Sequence, residues 1–228
     1  MGNTVLLGQA VFFRHGQTEY TDEYPDLTEE GKATIGRTGS QIAQMVNGHK
    51  VTIVSSPLAR TRGSANIVAG VIGYREKIHI DPLIRAADIY DPQASWAMFE
   101  EYHARGGIHE VSRAYFSDPR YDEGLILETK VAIQERFGTY LGRLISKLFE
   151  AKNHKMFVIS VSHYEVLCAI TEKLFHVVER QQMPLSHGEV VLIRFLPTGD
   201  GARVILEVYF RSQIGRAIFD RQTSQLVY

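Results

Sequence analysis

The chain has a single cysteine, Cys168, and no Asn-X-Ser/Thr acceptor. Neither an internal disulfide framework nor N-glycosylation is open to it, and a reducing, cytoplasmic setting is the expectation. Charge of one sign is not in excess: 25 Lys and Arg stand against 26 Asp and Glu, which gives no bulk field to gather nucleic acid or an anionic membrane surface. No apolar run approaches the ~20 residues of a membrane-spanning helix. The opening MGNTVLLGQAVFFRHG lacks a basic leader region, its apolar residues are broken by Gly8 and Gln9, and it reads as a mature start. Leu6 stands where myristoylation of Gly2 would want Ser or Thr. These absences exclude a disulfide scaffold, and they argue against nucleic-acid and membrane partners.

What is present suits a globular chain: 228 residues, 44% hydrophobic, with no internal repeat or low-complexity linker. One domain spanning 1–228 is expected. Short apolar, β-favouring runs occur at Val11 to Phe13, Val51 to Val54, Ile78 to Ile80 and Met156 to Val161, with two more at Val190 to Leu196 and Val204 to Phe210. Helical patterns lie between them. Thr28 caps one that runs to about Val46 and stops at Asn47-Gly48, and Pro57 opens another. A third spans Glu123 to Ala151, with Val131, Phe137, Leu141, Leu144 and Leu148 on one apolar face. A further helical run follows His163. Strand character is lost between about 86 and 130, read as an insertion over the sheet with one helix around Ser95 to Arg105. The pattern predicts an α/β fold, a mostly parallel central sheet flanked by helices.

Three of the strands end in polar residues: Arg14-His15, Ser55-Ser56 with Arg60 just beyond, and Ser162-His163. In a parallel sheet such ends share one edge, where ligands bind. Two permanently charged guanidiniums hold phosphoryl oxygens bidentately, and a neutral imidazole is a nucleophile for phosphorus. The combination suits phosphoryl transfer.

Arg14-His15-Gly16-Gln17-Thr18-Glu19 resembles the signature of the histidine phosphatase superfamily, the phosphoglycerate-mutase-like proteins. Leu27-Thr28-Glu29-Glu30-Gly31, Ser55-Ser56-Pro57-Leu58-Ala59-Arg60-Thr61 and Val161-Ser162-His163 follow in the family's order, so the likeness runs from residue 5 to about 175. It implies a phosphomonoesterase acting through a phosphohistidine on a small phosphate ester, with no metal or other cofactor. By position His15 would be the nucleophile, and Arg14, Arg60 and His163 would contact the phosphoryl oxygens. Gln17 and Thr21, in the first loop, would contact substrate; Thr21 stands where the family has Asn after an aromatic residue.

The chain departs from the family at the proton donor. Ala86 occupies the position of its Glu, and Asp88, two residues on, is the expected substitute, with Asp91, Glu165 and Glu100 as rivals. Tyr164 replaces a Gly after the second histidine, which predicts a narrower pocket. Arg85, Arg105 and Arg113 either extend the pocket toward a multiply charged substrate or simply keep the insertion soluble. A mutase returning the phosphoryl group to a second hydroxyl, and a binding protein weakened in turnover, are the competing functions.

Other motifs carry less. Gly31 to Thr38 has Walker A spacing with Arg37 in place of the Lys and no strand before it. His103 and His109, near Glu100, Glu101 and Glu110, lack metal-ligand spacing and read as a solvated face. Cys168 reads as packing.

Overall fold

The computed structural model describes residues 6–19, 26–151, 155–175, 185–199 and 201–227. They form one eight-stranded sheet from β1 (Gly8–Arg14), β2 (Lys50–Ser55), β3 (His79–Ile80), β4 (Met156–Ser162), β5 (Val190–Pro197), β6 (Arg203–Phe210), β7 (Gln213–Asp220) and β8 (Gln225–Val227). Their order is β3-β2-β4-β1-β5-β6-β7-β8. The first four strands pair in parallel, and everything beyond β1 on the other side is antiparallel. The parallel half was legible as four apolar runs, three of them buried and the fourth, β3, an exposed edge strand. The sequence pattern ends its strands at Phe210, and β7 and β8 correct it: Gly215, Arg216 and Asp220 interrupt the alternation that would announce a strand.

Side chains alternate across β1, and both directions are apolar. Val11 and Phe13 join Ile53, Phe157, Ile159 and Val161 under α1 (Glu29–Met45) and α2 (Ala59–Ile72). Ala10 and Phe12 face the opposite core, beneath α5 (Lys130–Glu150). Burial on two faces explains why these strands read as continuous apolar runs.

Caps set the helix bounds. Thr28 Oγ1 accepts the Gly31 amide at 2.9 Å, and Thr129 Oγ1 accepts that of Ala132 at 3.2 Å. The second bond corrects the predicted start of α5 from Glu123 to Lys130. Val131 is also corrected, since it is 63% exposed. The buried stripe is Ile133, Phe137, Leu141, Leu144 and Leu148, and a residue two places before Ile133 points about 200° away from it. The insertion contains two helices, α3 (Pro92–Gly106) and α4 (Ile108–Ser117), parted by Gly107 at φ 68°. Last in the described helices is α6 (Tyr164–Phe175).

Topology places the polar strand ends. From β1 the chain crosses through α1 to β2, leaving a slot between the two that β4 later fills. Register then aligns Arg14 with Ser162 and Ser55 with Val161. The residue after each strand is tied to the same neighbour: His15 N donates to Ser162 O and Ser56 N to Val161 O, both at 3.1 Å.

Candidate active site

His15 is 5% exposed and oriented through both ring nitrogens. Nδ1 lies 2.7 Å from the Gly16 carbonyl, which can only accept, so Nδ1 carries the proton and Nε2 the lone pair. Arg60 Nε donates to that lone pair at 3.1 Å. Close packing at two glycines makes the loop possible. A Cβ on Gly16 would lie 2.7 Å from the Gly31 carbonyl oxygen, and one on Gly31 would lie 2.3 Å from that of Gln17. The glycines of the two segments, fifteen positions apart, are therefore one packing device. Ser64 of α2 completes it by accepting the Gly16 amide at 3.1 Å.

The His163 ring centroid is 5.2 Å from that of His15. The Thr61 hydroxyl donates to Leu58 O at 2.7 Å, Ser56 Oγ lies 2.8 Å from Thr61 Oγ1, and His163 Nε2 lies 2.6 Å from Ser56 Oγ. In the network these distances define, Nε2–H donates to Ser56 and Ser56 donates to Thr61. His163 Nδ1 is buried with no partner. Burial, with Arg60 and Arg14 nearby, holds the His163 imidazole well below the usual histidine range. Burial and then the charges of His163, Arg60 and Arg14 do the same to His15. Both rings are therefore neutral at pH 7, as a nucleophile must be. An arriving phosphoryl dianion reverses the local field and favours a proton on His163 Nδ1, turning the orphaned nitrogen into a donor.

Arg14 donates from one terminal nitrogen to Leu185 O at 3.1 Å, while its Nε is buried and unpartnered. Its guanidinium stacks on Tyr164, 5.0 Å from the ring centroid. Tyr164, expected only to narrow the pocket, also braces it: its hydroxyl reaches Ser112 O of α4 at 3.3 Å. The insertion thus rests, through Tyr164, on Arg14.

His187 was missed by sequence reasoning. Its ring lies 5.8 Å from that of His15, and its Nε2 is buried without a partner. The Gly188 amide donates to Arg14 O at 2.9 Å, and Thr38 Oγ1 donates to Gly188 O at 2.8 Å, which pins the loop before β5 against the end of β1. Burial, then Arg14, lowers the His187 pKa to about 4. A Ser-His-Gly run before a strand was the available signal. Only antiparallel pairing of β5 with β1 gives it meaning.

Beside Arg14 and Arg60 opens a cavity of about 220 Å³. Ala86 and Ala87 line it, as do Ile89, Phe99 and Val111 of the insertion, and Glu165 stands in its wall. Asp88 is not brought there. Its side chain is 44% exposed and is held by a two-pronged pair with Arg85, Nε to Oδ1 at 2.8 Å and the second contact shorter still. That bond keeps the Asp88 carboxyl below the usual carboxylate range, the reverse of what a proton donor needs. Among its rivals, Asp91 is spent as the N-cap of α3, accepting the Ala94 amide at 2.9 Å, and Glu100 is exposed. Gln17 is also exposed, and Thr21 lies outside the described residues. Arg85, Arg105 and Arg113 are each paired with a carboxylate, Asp88, Glu101 and Glu110 respectively, and none lines the cavity. Cys168 is buried in the core, its thiol pushed up by desolvation.

Among the described residues no group of three or more His, Cys, Asp or Glu side chains is placed to hold a metal ion. None of the described helices is long and apolar enough to cross a membrane.

Residues 10–207 match the histidine phosphatase superfamily (branch 1), and the chain belongs to that family. No curated protein matches it. Phosphoglycerate mutase from Bacillus anthracis str. Sterne is similar in structure, with a TM-score of 0.64 at 17% identity, over 95% of this chain and 95% of that one. A mycobacterial glucosyl-3-phosphoglycerate phosphatase gives 0.61 at 17% identity, over 89% and 97%. Bacillus stearothermophilus YhfR gives 0.58 at 20%, over 84% and 92%. Such likenesses establish the phosphoglycerate-mutase-like fold.

Proposed function

We propose that this protein is a phosphomonoesterase that works without a metal, through a phosphohistidine on His15. The observation that carries this reading is the tautomer: Nδ1 tied to the Gly16 carbonyl, Nε2 bare of hydrogen and met by a guanidinium. In the first displacement the Nε2 lone pair attacks phosphorus and the bond to the alcohol oxygen breaks. In the second, water attacks the same phosphorus and the N–P bond breaks, returning the lone pair to Nε2 and releasing phosphate. Phosphoryl transfer calls mainly for positioning and compensation of charge on the equatorial oxygens. Arg60 Nε donates to the Nε2 lone pair at 3.1 Å; phosphorus displaces it there, and the guanidinium is then beside the phosphoryl group to donate to such an oxygen. The open Nε edge of Arg14 and Nδ1 of His163 supply two further donors.

The test is hydrolysis of 4-nitrophenyl phosphate. His15→Ala should abolish it, and vanadate, which takes the pentavalent geometry, should inhibit the unmodified enzyme. Residual activity in His15→Ala near that of the parent would sink the reading. Incubation with 3-phosphoglycerate that yields an isomer and no free phosphate would instead assign a mutase.

A further inference from the structure

Two observations at the cavity beside Arg14 and Arg60 are not absorbed by the steps above. One is a carboxylate in the wrong place for the family. Glu165 lies in the first turn of α6, two residues after His163, and stands in the cavity wall. Its Oε2 is buried with no hydrogen-bond partner, although buried polar atoms are nearly always paired in native proteins. Where the family's Glu would stand, the wall presents Ala86 and Ala87 instead. The other observation is the character of the remaining lining. Apolar side chains such as Ile89, Phe99 and Leu127 line most of the space, with the uncharged Ser95, Ser112 and Tyr115 among them, and the only cations among the described lining residues are Arg14 and Arg60. Both belong to the phosphoryl group. The guanidiniums that could have met a second anion, those of Arg85, Arg105 and Arg113, are each paired with a carboxylate.

We infer that the substrate is the phosphate monoester of an uncharged, largely apolar alcohol or phenol, and that Glu165 is the acid that protonates its leaving oxygen. This rests on the phosphohistidine reading and deepens it. As His15 Nε2 bonds to phosphorus, the electron pair of the breaking P–O bond goes to the bridging oxygen, which takes the proton of the Glu165 carboxyl. Water then enters, gives a proton back to the Glu165 carboxylate and attacks phosphorus, and the N–P bond breaks. Atoms and charge balance with no further reactant. A cavity of about 150 Å³ lined by apolar side chains accommodates a benzene ring, so the volume here suits one ring or a short alkyl chain. A carboxylated alcohol such as glycerate would bring a second anion into the cavity with no spare cation among the described lining residues to meet it, and burying such a charge unpaired is strongly disfavoured.

The test is a leaving-group series on the purified protein: 2,4-dinitrophenyl, phenyl and hexyl phosphates, with 3-phosphoglycerate as the charged comparator. The unmodified enzyme should turn over phenyl and hexyl phosphates with kcat/KM at least ~100-fold above 3-phosphoglycerate, and its rates should depend weakly on leaving-group pKa. Glu165→Gln should lose about 10² to 10⁴-fold on hexyl phosphate and only a few-fold on the dinitrophenyl ester, whose departure needs no proton. Equal losses on both esters in a Glu165→Gln protein with native circular dichroism would overturn the assignment, as would the same split appearing in Asp88→Asn instead. Should Glu165→Gln fail to fold, the series on the unmodified enzyme still decides: a steep dependence on leaving-group pKa, or 3-phosphoglycerate used as well as phenyl phosphate, refutes the proposal. Failure of the underlying reading looks different, because dinitrophenyl phosphate turnover would then survive in His15→Ala.

Discussion

Replacing Arg136 with leucine should cost about 4 kcal/mol of stability. Arg136 sits on α5 with its side chain 8% exposed, opposite Glu128 at 6%. Nε and one terminal nitrogen donate to the two Glu128 oxygens at 2.8 and 2.9 Å. The remaining donors reach the carbonyls of Leu83 at 2.7 Å and Ala86 at 3.2 Å, while Glu128 also accepts the Asp88 amide at 3.2 Å. One buried ion pair thus stitches the segment after β3 to the start of α5, behind the wall formed by Ala86 and Ala87. Removing the guanidinium leaves the buried Glu128 carboxylate only the Asp88 amide and Arg85 at 4.0 Å, a loss of about 3–5 kcal/mol, and leaves two carbonyls short of a donor. For a chain of this size, about 4 kcal/mol corresponds to a fall in Tm of roughly 8–16 °C. The assay is urea denaturation followed by tryptophan fluorescence and circular dichroism, run on Arg136→Leu, Glu128→Leu and the double variant. The double variant should recover more than half of the single losses, since two apolar residues in place of a buried pair are often tolerated. A loss below ~1 kcal/mol in Arg136→Leu, or single losses that simply add, would refute the reasoning.

Acid should destabilise the protein before its carboxylates titrate. His15 and His163 have folded pKa values well below 6.5 and His187 sits near 4, so as pH drops through 6.5 the unfolded chain takes up protons that the folded one refuses. Each imidazole kept neutral costs about 1 kcal/mol between pH 6.5 and 5.5, less for the half-open His187. Carboxylates such as Asp118, held near 2 by Arg120, give way only at much lower pH. Urea midpoints that stay flat from pH 7.5 to 5.5 would contradict this. Tyr164→Leu removes the ring beneath Arg14 and should lower kcat/KM for aryl phosphates by about 3 to 30-fold, the worth of a partly desolvated cation–π contact. A variant indistinguishable from the parent would show that Arg14 needs no platform.

Local chemistry left its mark plainly on the chain. Buried strands declare themselves by apolar runs because both sheet faces are covered, caps by Thr28, and the clustered quartet of Arg14, His15, Arg60 and His163 by sitting at or just beyond the ends of those runs. Pairing partners are a different kind of information. Asp88 looked like a proton donor on spacing, yet Arg85, three residues earlier, claims it across a turn. Glu165 was one rival for that role among three until the fold set it in the wall of a cavity, and His187 was an unremarkable loop residue until β5 closed against β1.

The order of residues, through periodicity and the conformational limits of Gly, Pro and Thr, sufficed for the parallel strands, most of the helices and the four residues that gather at their ends. Direction and company came from packing alone: which carboxylate faces the cavity, which is spent on an arginine, and which third imidazole stands beside His15. Those contacts join residues tens of positions apart, and their energies exist only once the sheet has brought them within a few ångströms.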